Sequence, residues 1–467
     1  MKHTKFIIAC FIFSFFVCQS VLALSLVGNE ANITPDPNAR PDAYTENFAI
    51  SGDMTVWIDY RDPNYVTRIY ATLVDDPCHT EYLIDANAVN AWMVKADGTK
   101  IIYNVMDQMT EKALIRVAEV NDINNPVFED FDVNVPYLWS LDVDGNTIAY
   151  SYDRDWYTWE PPGICVFSLA DPNRTIYVVE RIEEPFQMNS NIALDNNWLT
   201  WAGYFDGDKD VNAFNYLAVA DITDPNNPTT NITALPGDDE TWTSTSAEMI
   251  DASDKWLACW GSYLGQWGIY AIGNYYDANS YNWQFVPVFL PGGYNYDIST
   301  PSIDAPIVVW ASQYYGGEYY TTNQSVLPDV LDRSPSYIGS QSLNGNYLMG
   351  AVLLDNGRAV PSILKENTDP NMSIRSAAID NGEVVWSEEY YDANTYEYVT
   401  NLYNSGVQIT CGDAGYSLAD LNHDCEVDLK DFAMFAERWL DCTTYNGQGC
   451  GYGEVYPTID GRWEVIY

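Results

Sequence analysis

Residues 420 to 431 read Asp-Leu-Asn-His-Asp-Cys-Glu-Val-Asp-Leu-Lys-Asp. Oxygen-bearing side chains stand at the first, third, fifth, ninth and twelfth places, the register in which a curled loop surrounds a hard cation with about six to eight oxygens. The cation expected is Ca2+. Asp420, Asn422, Asp424 and Asp431 are expected to point inward, Glu426 to offer its backbone carbonyl, and Asp428 to bind directly or through water. Val427 is the apolar anchor against a following helix. Two residues depart from the usual pattern: Cys425 stands where glycine eases the turn, and Asp431 replaces a longer glutamate.

Other chemistry is scarce. The histidines are His3, His79 and His423. His3 lies in an N-terminal leader and His423 at the fourth place of the loop, so a Ser-His or Cys-His triad would have to use His79, and no Gly-x-Ser-x-Gly elbow accompanies it. His79 reads as an exposed loop residue beside Cys78. No His-Glu-x-x-His, Cys-x-x-Cys or phosphate-cradling glycine loop occurs. Paired carboxylates are the one catalytic apparatus that the composition supplies. Asp59, Asp107, Asp153, Asp206 and Glu388-Glu389 follow a repeated aromatic and are candidates for a central funnel, with none singled out as catalytic.

That aromatic belongs to a phrase: a turn residue, alternating apolar positions, then Trp or Tyr six places on. Copies run Ser51–Trp57, Asp97–Tyr103, Asp144–Tyr150, Asp195–Trp201, Asp254–Trp260, Asp304–Trp310, Asn344–Gly350 and Asp380–Trp386, the seventh without its aromatic. Asp-Gly, Asp-Asn and Asn-Gly accept the left-handed angles of tight turns, and runs such as Ile307-Val308-Val309-Trp310 have the content of strands buried on both faces. A spacing of roughly 36 to 59 residues suits one four-stranded propeller blade. The fold class expected is all-β, a β-propeller of about eight blades. Seven, with one blade shared between the chain ends, is the alternative. A small C-terminal α-helical calcium-binding module follows.

With 467 residues, 47% hydrophobic, the chain can bury a large core. A net charge of -45 excludes nucleic acid as a partner, because a phosphate backbone would be repelled. The start, with Lys2 and Lys5 ahead of an apolar run from Phe6 to Val17, reads as an export signal cleaved near Ala23, leaving no membrane span. Residues 24–43 are expected to be a linker, 44–411 the propeller, 412–450 the calcium module and 451–467 a tail. Cys411, Cys425, Cys442 and Cys450 are the disulfide candidates, pairing as 411–425 with 442–450 or as 411–442 with 425–450. Cys78, Cys165 and Cys259 read as buried small apolar residues.

The stretch Ile50-Ser51-Gly52-Asp53-Met54-Thr55-Val56-Trp57-Ile58-Asp59-Tyr60-Arg61 resembles the repeats of bacterial TolB-like propellers, and Asp221-Ile222-Thr223-Asp224-Pro225-Asn226-Asn227-Pro228 is similar to LVIVD-type repeats. The calcium loop with Asp at its last place, followed by an amphipathic helix from Leu429 to about Leu440, resembles one half of a type I dockerin. That resemblance implies attachment to a cohesin-like or cell-surface protein. Tyr and Trp clusters such as Trp156-Tyr157-Thr158-Trp159, Tyr275-Tyr276 and Tyr390-Tyr391 suit stacking on a polysaccharide or contact with protein. The function expected is therefore that of an exported, noncatalytic recognition or scaffold protein. A glycoside hydrolase or lyase with a carboxylate pair in the funnel is the alternative.

Overall fold

The computed structural model describes residues 22–411 apart from short connecting stretches, the longest being 153–161, 206–213, 236–245 and 323–336, together with 454–457 and 463–466. The chain divides into two compact units, residues 24–409 and residues 1–23 with 410–467. In the second, Glu454–Pro457 and Trp463–Ile466 form an antiparallel hairpin. The calcium loop and its expected helix lie outside the described residues, as do residues 1–21 of the export signal.

Residues 24–409 form seven blades, five of them separate four-stranded sheets and blades 5 and 6 joined into one nine-stranded sheet, with no helix among the described residues. The innermost strands are Phe48–Ser51, Val94–Asp97, Leu138–Asp144, Phe186–Asp195, Ser246–Ser253, Ser302–Asp304 and Met372–Asp380. Each turns tightly into an antiparallel second strand, as where Asp144 pairs with Thr147 and Asp380 with Glu383. The residue after the inner strand takes positive φ in most blades: Gly52, Gly98, Gly145, Asn196, Asp254 and Asn381. Those are the residue types that tolerate it, which is why the turn phrase is visible in the sequence.

The expectation of about eight blades is corrected to seven. The seventh copy, Asn344–Gly350, opens no blade. It lies within Tyr337–Leu354, the third strand of blade 6, where Val309 pairs with Gly350 and Tyr315 with Asn344. Blade 6 is long because its second and third strands run 16 and 18 residues. The fifth copy is one residue out of phase. Ser253 ends the inner strand, Asp254 carries the positive φ, and Cys259 occupies the place that Trp or Tyr fills elsewhere. A one-residue slip along a strand exchanges its faces. Trp260 accordingly leaves that slot and its ring lies 5.6 Å from that of Trp267.

The phrase aromatics explain why a ring forms. Trp57, Trp201, Trp310, Trp386, Tyr103 and Tyr150 are all fully buried. Each core cluster draws on two neighbouring blades: Val56, Ile69 and Ile84 of blade 1 pack with Ile101 and Tyr103 of blade 2, and Ile269 and Val286 of blade 5 with Trp310 and Met349 of blade 6. A single blade is apolar on both faces, and only neighbours on both sides remove that surface from water, at about 25 cal/mol per Å².

The ring is closed by the start of the chain. Leu22–Asn32 lies against Glu397–Cys411 as the outer strand of blade 7, so residues 24–32, expected within a linker, complete a blade instead. The Leu24 amide donates to Ser362 Oγ (3.0 Å), the Ile33 amide to the Leu402 carbonyl (2.9 Å), and the Leu402 amide to Thr34 Oγ1 (3.0 Å). Lys365 pairs with Glu30 of this strand and with Glu388 Oε1 of blade 7 (2.6 Å), and its ammonium lies 5.1 Å from the ring centres of Trp386 and Tyr403.

Candidate functional site

The seven inner strands surround a cavity of about 260 Å³. Its chemistry comes from two positions that recur in every blade. At the last residue of the inner strand stand Ser51, Asp97, Asp144, Asp195, Ser253, Asp304 and Asp380. Several of these side chains accept from the turn amide of the next blade: Ser51 Oγ from Gly98 (2.9 Å), Ser253 Oγ from Ala305 (3.1 Å), Asp304 Oδ2 from Gly382 (3.1 Å) and Asp380 Oδ2 from Gly52 (2.5 Å). The short polar side chains at this level are therefore links between blades.

Two residues earlier the seven blades carry Ala49, Lys95, Asp142, Ala193, Asp251, Ser302 and Ala378. All but Ala193 line the cavity. Asp142 Oδ2 accepts from the Leu194 amide (2.7 Å), and Asp251 Oδ2 from the Ile303 amide (2.9 Å) and the Ser302 hydroxyl (3.1 Å). These bonds fix both carboxylates while leaving acceptor capacity, since an ionised carboxylate has about four lone-pair sites. Lys95 Nζ stands 3.8 Å from Asp142 Oδ1. Burial pushes the Asp142 carboxyl up to about 6, with Asp251 adding to the rise and Lys95 opposing it. Burial also raises Asp251, again against Lys95. At the outer level Asp195 is pushed up to about 6 by burial and by Asp144 and Asp254.

The funnel candidates read from the sequence are corrected. Asp59 is buried on the second strand of blade 1, held by Arg61 (2.7 Å) and by the Trp57 indole N–H (3.3 Å). Glu388 is buried between Lys365 and the Trp386 indole N–H (2.9 Å), and Glu389 pairs with Arg375 (2.7 Å). Asp107 ends a second strand opposite Lys112. None of these lines the cavity. Asp153 and Asp206 lie outside the described residues. The axial carboxylates come from the first strand of a blade, not the second, and comparing the residue two places before each turn would have found them.

His79, the one histidine among the described residues, sits in an outer turn with positive φ, and its Nδ1 has no hydrogen-bond partner. No group of three or more His, Cys, Asp or Glu among the described residues is placed to hold a metal. Asp420, Asn422, Asp424, Glu426, Asp428 and Asp431 lie outside them, as do Cys425, Cys442 and Cys450, while Cys411 ends the last strand of blade 7. Cys165 and Cys259 are buried, as expected, whereas Cys78 is exposed, which corrects that reading for it. Tyr275 is buried with its hydroxyl toward Asp195 (3.5 Å), and Tyr276 stacks on Trp198, so this pair fills a wedge between blades.

No protein-family model and no curated protein matches the sequence. Among solved structures, the chain is similar to the β-propeller domain of the trilobed protease from Pyrococcus furiosus (12% identity, TM-score 0.46, covering 79% of this chain and 97% of that one). It is similar to the acylaminoacyl peptidase of Pyrococcus horikoshii (11%, 0.43, covering 80% and 52%), and so spans about half of that peptidase. TolB from Acinetobacter baumannii is a third (11%, 0.34, covering 73% and 78%). At these identities the likeness concerns the fold alone, a TolB-like β-propeller. The expectation of a noncatalytic recognition or scaffold protein is corrected: the similar structures are mostly peptidases. The cavity is lined by Lys95, Asp142 and Asp251 together with apolar residues such as Phe48 and Ile250.

Proposed function

We propose that the protein serves peptide hydrolysis, with the axial cavity as the place where a peptide's free amine is held. The observation that carries this reading is the pair Asp142 and Asp251, two carboxylates fixed by amides of neighbouring blades around one cavity. A primary ammonium brings three donors and a positive charge to such a pair, and the low dielectric of the cavity strengthens both. The similar structures include peptidases, and peptidase activity comes to this chain only as a proposal. Among the described residues no Ser-His or Cys-His pair stands at the cavity, so the role proposed for the cavity is to hold the peptide.

Calorimetric titration with trialanine tests the reading. Binding that is abolished by N-acetylation of the peptide and weakened at least tenfold by Asp251→Asn supports it. Equal binding of the acetylated peptide overturns it. Mass spectrometry of the same mixtures reads whether the intact chain cleaves what it binds.

We also propose that the protein is exported with cleavage near Ala23, and that residues 412–450 form a dockerin-like calcium module using the loop from Asp420 to Asp431. The support is the carboxylate register and the charged, apolar and small-residue order of the leader. A cohesin-like or cell-surface protein is the partner that such a module would meet.

A further inference from the structure

We infer that Trp139 and Met249 form an apolar contact for the side chain of the peptide's first residue, so that the site selects peptides beginning with a bulky aliphatic residue. This rests on the amine-holding reading above. Trp139 stands on the inner strand that carries Asp142, and Met249 on the one that carries Asp251. Both interrupt their strands in the same way. The pairing of inner and second strand skips Trp139 in blade 3 and Met249 in blade 5, as it skips Arg375 in blade 7 and residues 189–191 in blade 4. Each interruption falls four to six residues before the strand's end, so the bulges share one level of the ring.

A bulge lifts one residue out of the ladder and re-aims its side chain. Trp139 is 53% exposed and Met249 44%, whereas Leu138, Ser140, Ala247 and Ile250 beside them are buried. The free edge of an inner strand faces the axis, so a side chain turned out of it there meets the water of the axial opening. Met249 also holds φ at 45°, a conformation that costs a residue other than glycine and that clusters where ligands are clamped. Blade 4 pins the backbone next to both residues. The Ile192 amide donates to Ser140 Oγ (3.1 Å), the Asn191 amide nitrogen to the Ile250 carbonyl (2.7 Å), and the Ile250 amide to Asn191 Oδ1 (2.6 Å). Trp139 and Met249 thus border blade 4 from its two sides.

The spacing suits a first side chain. At about 3.3 Å per residue, Met249 lies roughly 7 Å along its strand from Asp251, and Trp139 roughly 10 Å from Asp142. A peptide whose ammonium sits between the two carboxylates carries its first side chain one carbon from that nitrogen. A long aliphatic chain spans the distance to the bulges, and a methyl group falls short of it. The unbranched thioether of Met249 adapts to chains of different shape, while the Trp139 indole offers a flat apolar face. An acidic first side chain would meet Asp142 and Asp251 instead, and be repelled.

The test is calorimetric titration of the full mature chain at pH 7.5 with trialanine, Leu-Ala-Ala and Ala-Ala-Leu. The three peptides carry the same charges, so the field of a protein with a formal charge of -45 acts on them alike. The expected result is at least tenfold tighter binding of Leu-Ala-Ala than of trialanine, with Ala-Ala-Leu close to trialanine. Met249→Gly and Trp139→Ala each lower the preference at least threefold, and together they abolish it, while trialanine binding changes little. A smaller wild-type gain, an equal gain for Ala-Ala-Leu, or a preference that survives both substitutions overturns the inference and leaves the amine-holding reading standing. If none of the peptides binds the wild type, both fall. The wild-type comparison of the three peptides decides the question even if a variant does not fold.

Discussion

Asp380 Oδ2 accepts a hydrogen bond from the amide of Gly52 at 2.5 Å, across 328 residues of sequence. It links blade 7 to blade 1, and it repeats what Asp304 does for Gly382 and Ser253 for Ala305 between their blades. The seam between the last blade and the first is therefore stitched like several of the others. Asp380→Ala removes a charge-assisted acceptor and is expected to cost about 1.5–3 kcal/mol. Asp380→Asn keeps an acceptor oxygen and is expected to cost less. Urea unfolding of the two variants checks the order.

Asp142 sets a pH dependence. Its carboxyl is pushed up to about 6 in the folded protein, chiefly by burial, against roughly 3.9 in an unfolded chain. A group that holds its proton more tightly when folded favours the folded state at low pH. That advantage is lost as pH rises from about 4 to about 6, and above 6 the buried charge is a standing cost. Asp142→Asn keeps the bond from Leu194 and removes the charge, so it is expected to raise the Tm at pH 7.5 and to change it little at pH 4.5. Thermal unfolding at the two pH values reads the difference. A Tm rise of equal size at both would place the effect elsewhere.

Lys365, on the last strand of blade 6, holds Glu30 of the chain's first strand and Glu388, both of blade 7. Removing it in Lys365→Met leaves Glu388, which is 3% exposed on its side chain, with the Trp386 indole as its remaining partner. Breaking a buried pair from one side costs about 3–5 kcal/mol. Hydrogen exchange of residues 24–32 is expected to quicken more than that of blades 2 to 4, because Glu30 loses the same lysine.

The calcium loop gives a separate test. Titration of calcium into the full mature chain is expected to show one tight site that Asp424→Ala weakens at least tenfold. Equal heats from both proteins would remove the loop as the site.

Much of the fold is legible in the sequence because each blade repeats a local demand. Gly52, Gly98, Gly145, Asn196 and Asn381 answer the need for positive φ, and Trp57, Trp201, Trp310 and Trp386 fill the same slot between blades. What misleads is local resemblance without that demand. Asn344–Gly350 copies the turn phrase inside a paired strand, and Asp254–Trp260 copies it one residue late, beside a buried Cys259. Which blade the N-terminal strand completes depends on the bonds of Leu24 with Ser362 and of Thr34 with Leu402, 338 and 368 residues apart, and no local pattern carries that. The axial site was legible in principle. It is written as Lys95, Asp142 and Asp251 at one place in a repeat whose other members are alanine and serine, but among 66 acidic residues no local feature separates these two carboxylates from those that follow the repeated aromatic.

A crystal structure of the mature protein grown with trialanine tests the account most directly. The peptide is expected in the axial cavity, with its ammonium within hydrogen-bond distance of Asp142 and Asp251. Peptide bound only on the outer faces of the blades, or an axial cavity holding water alone at saturating peptide, would contradict it.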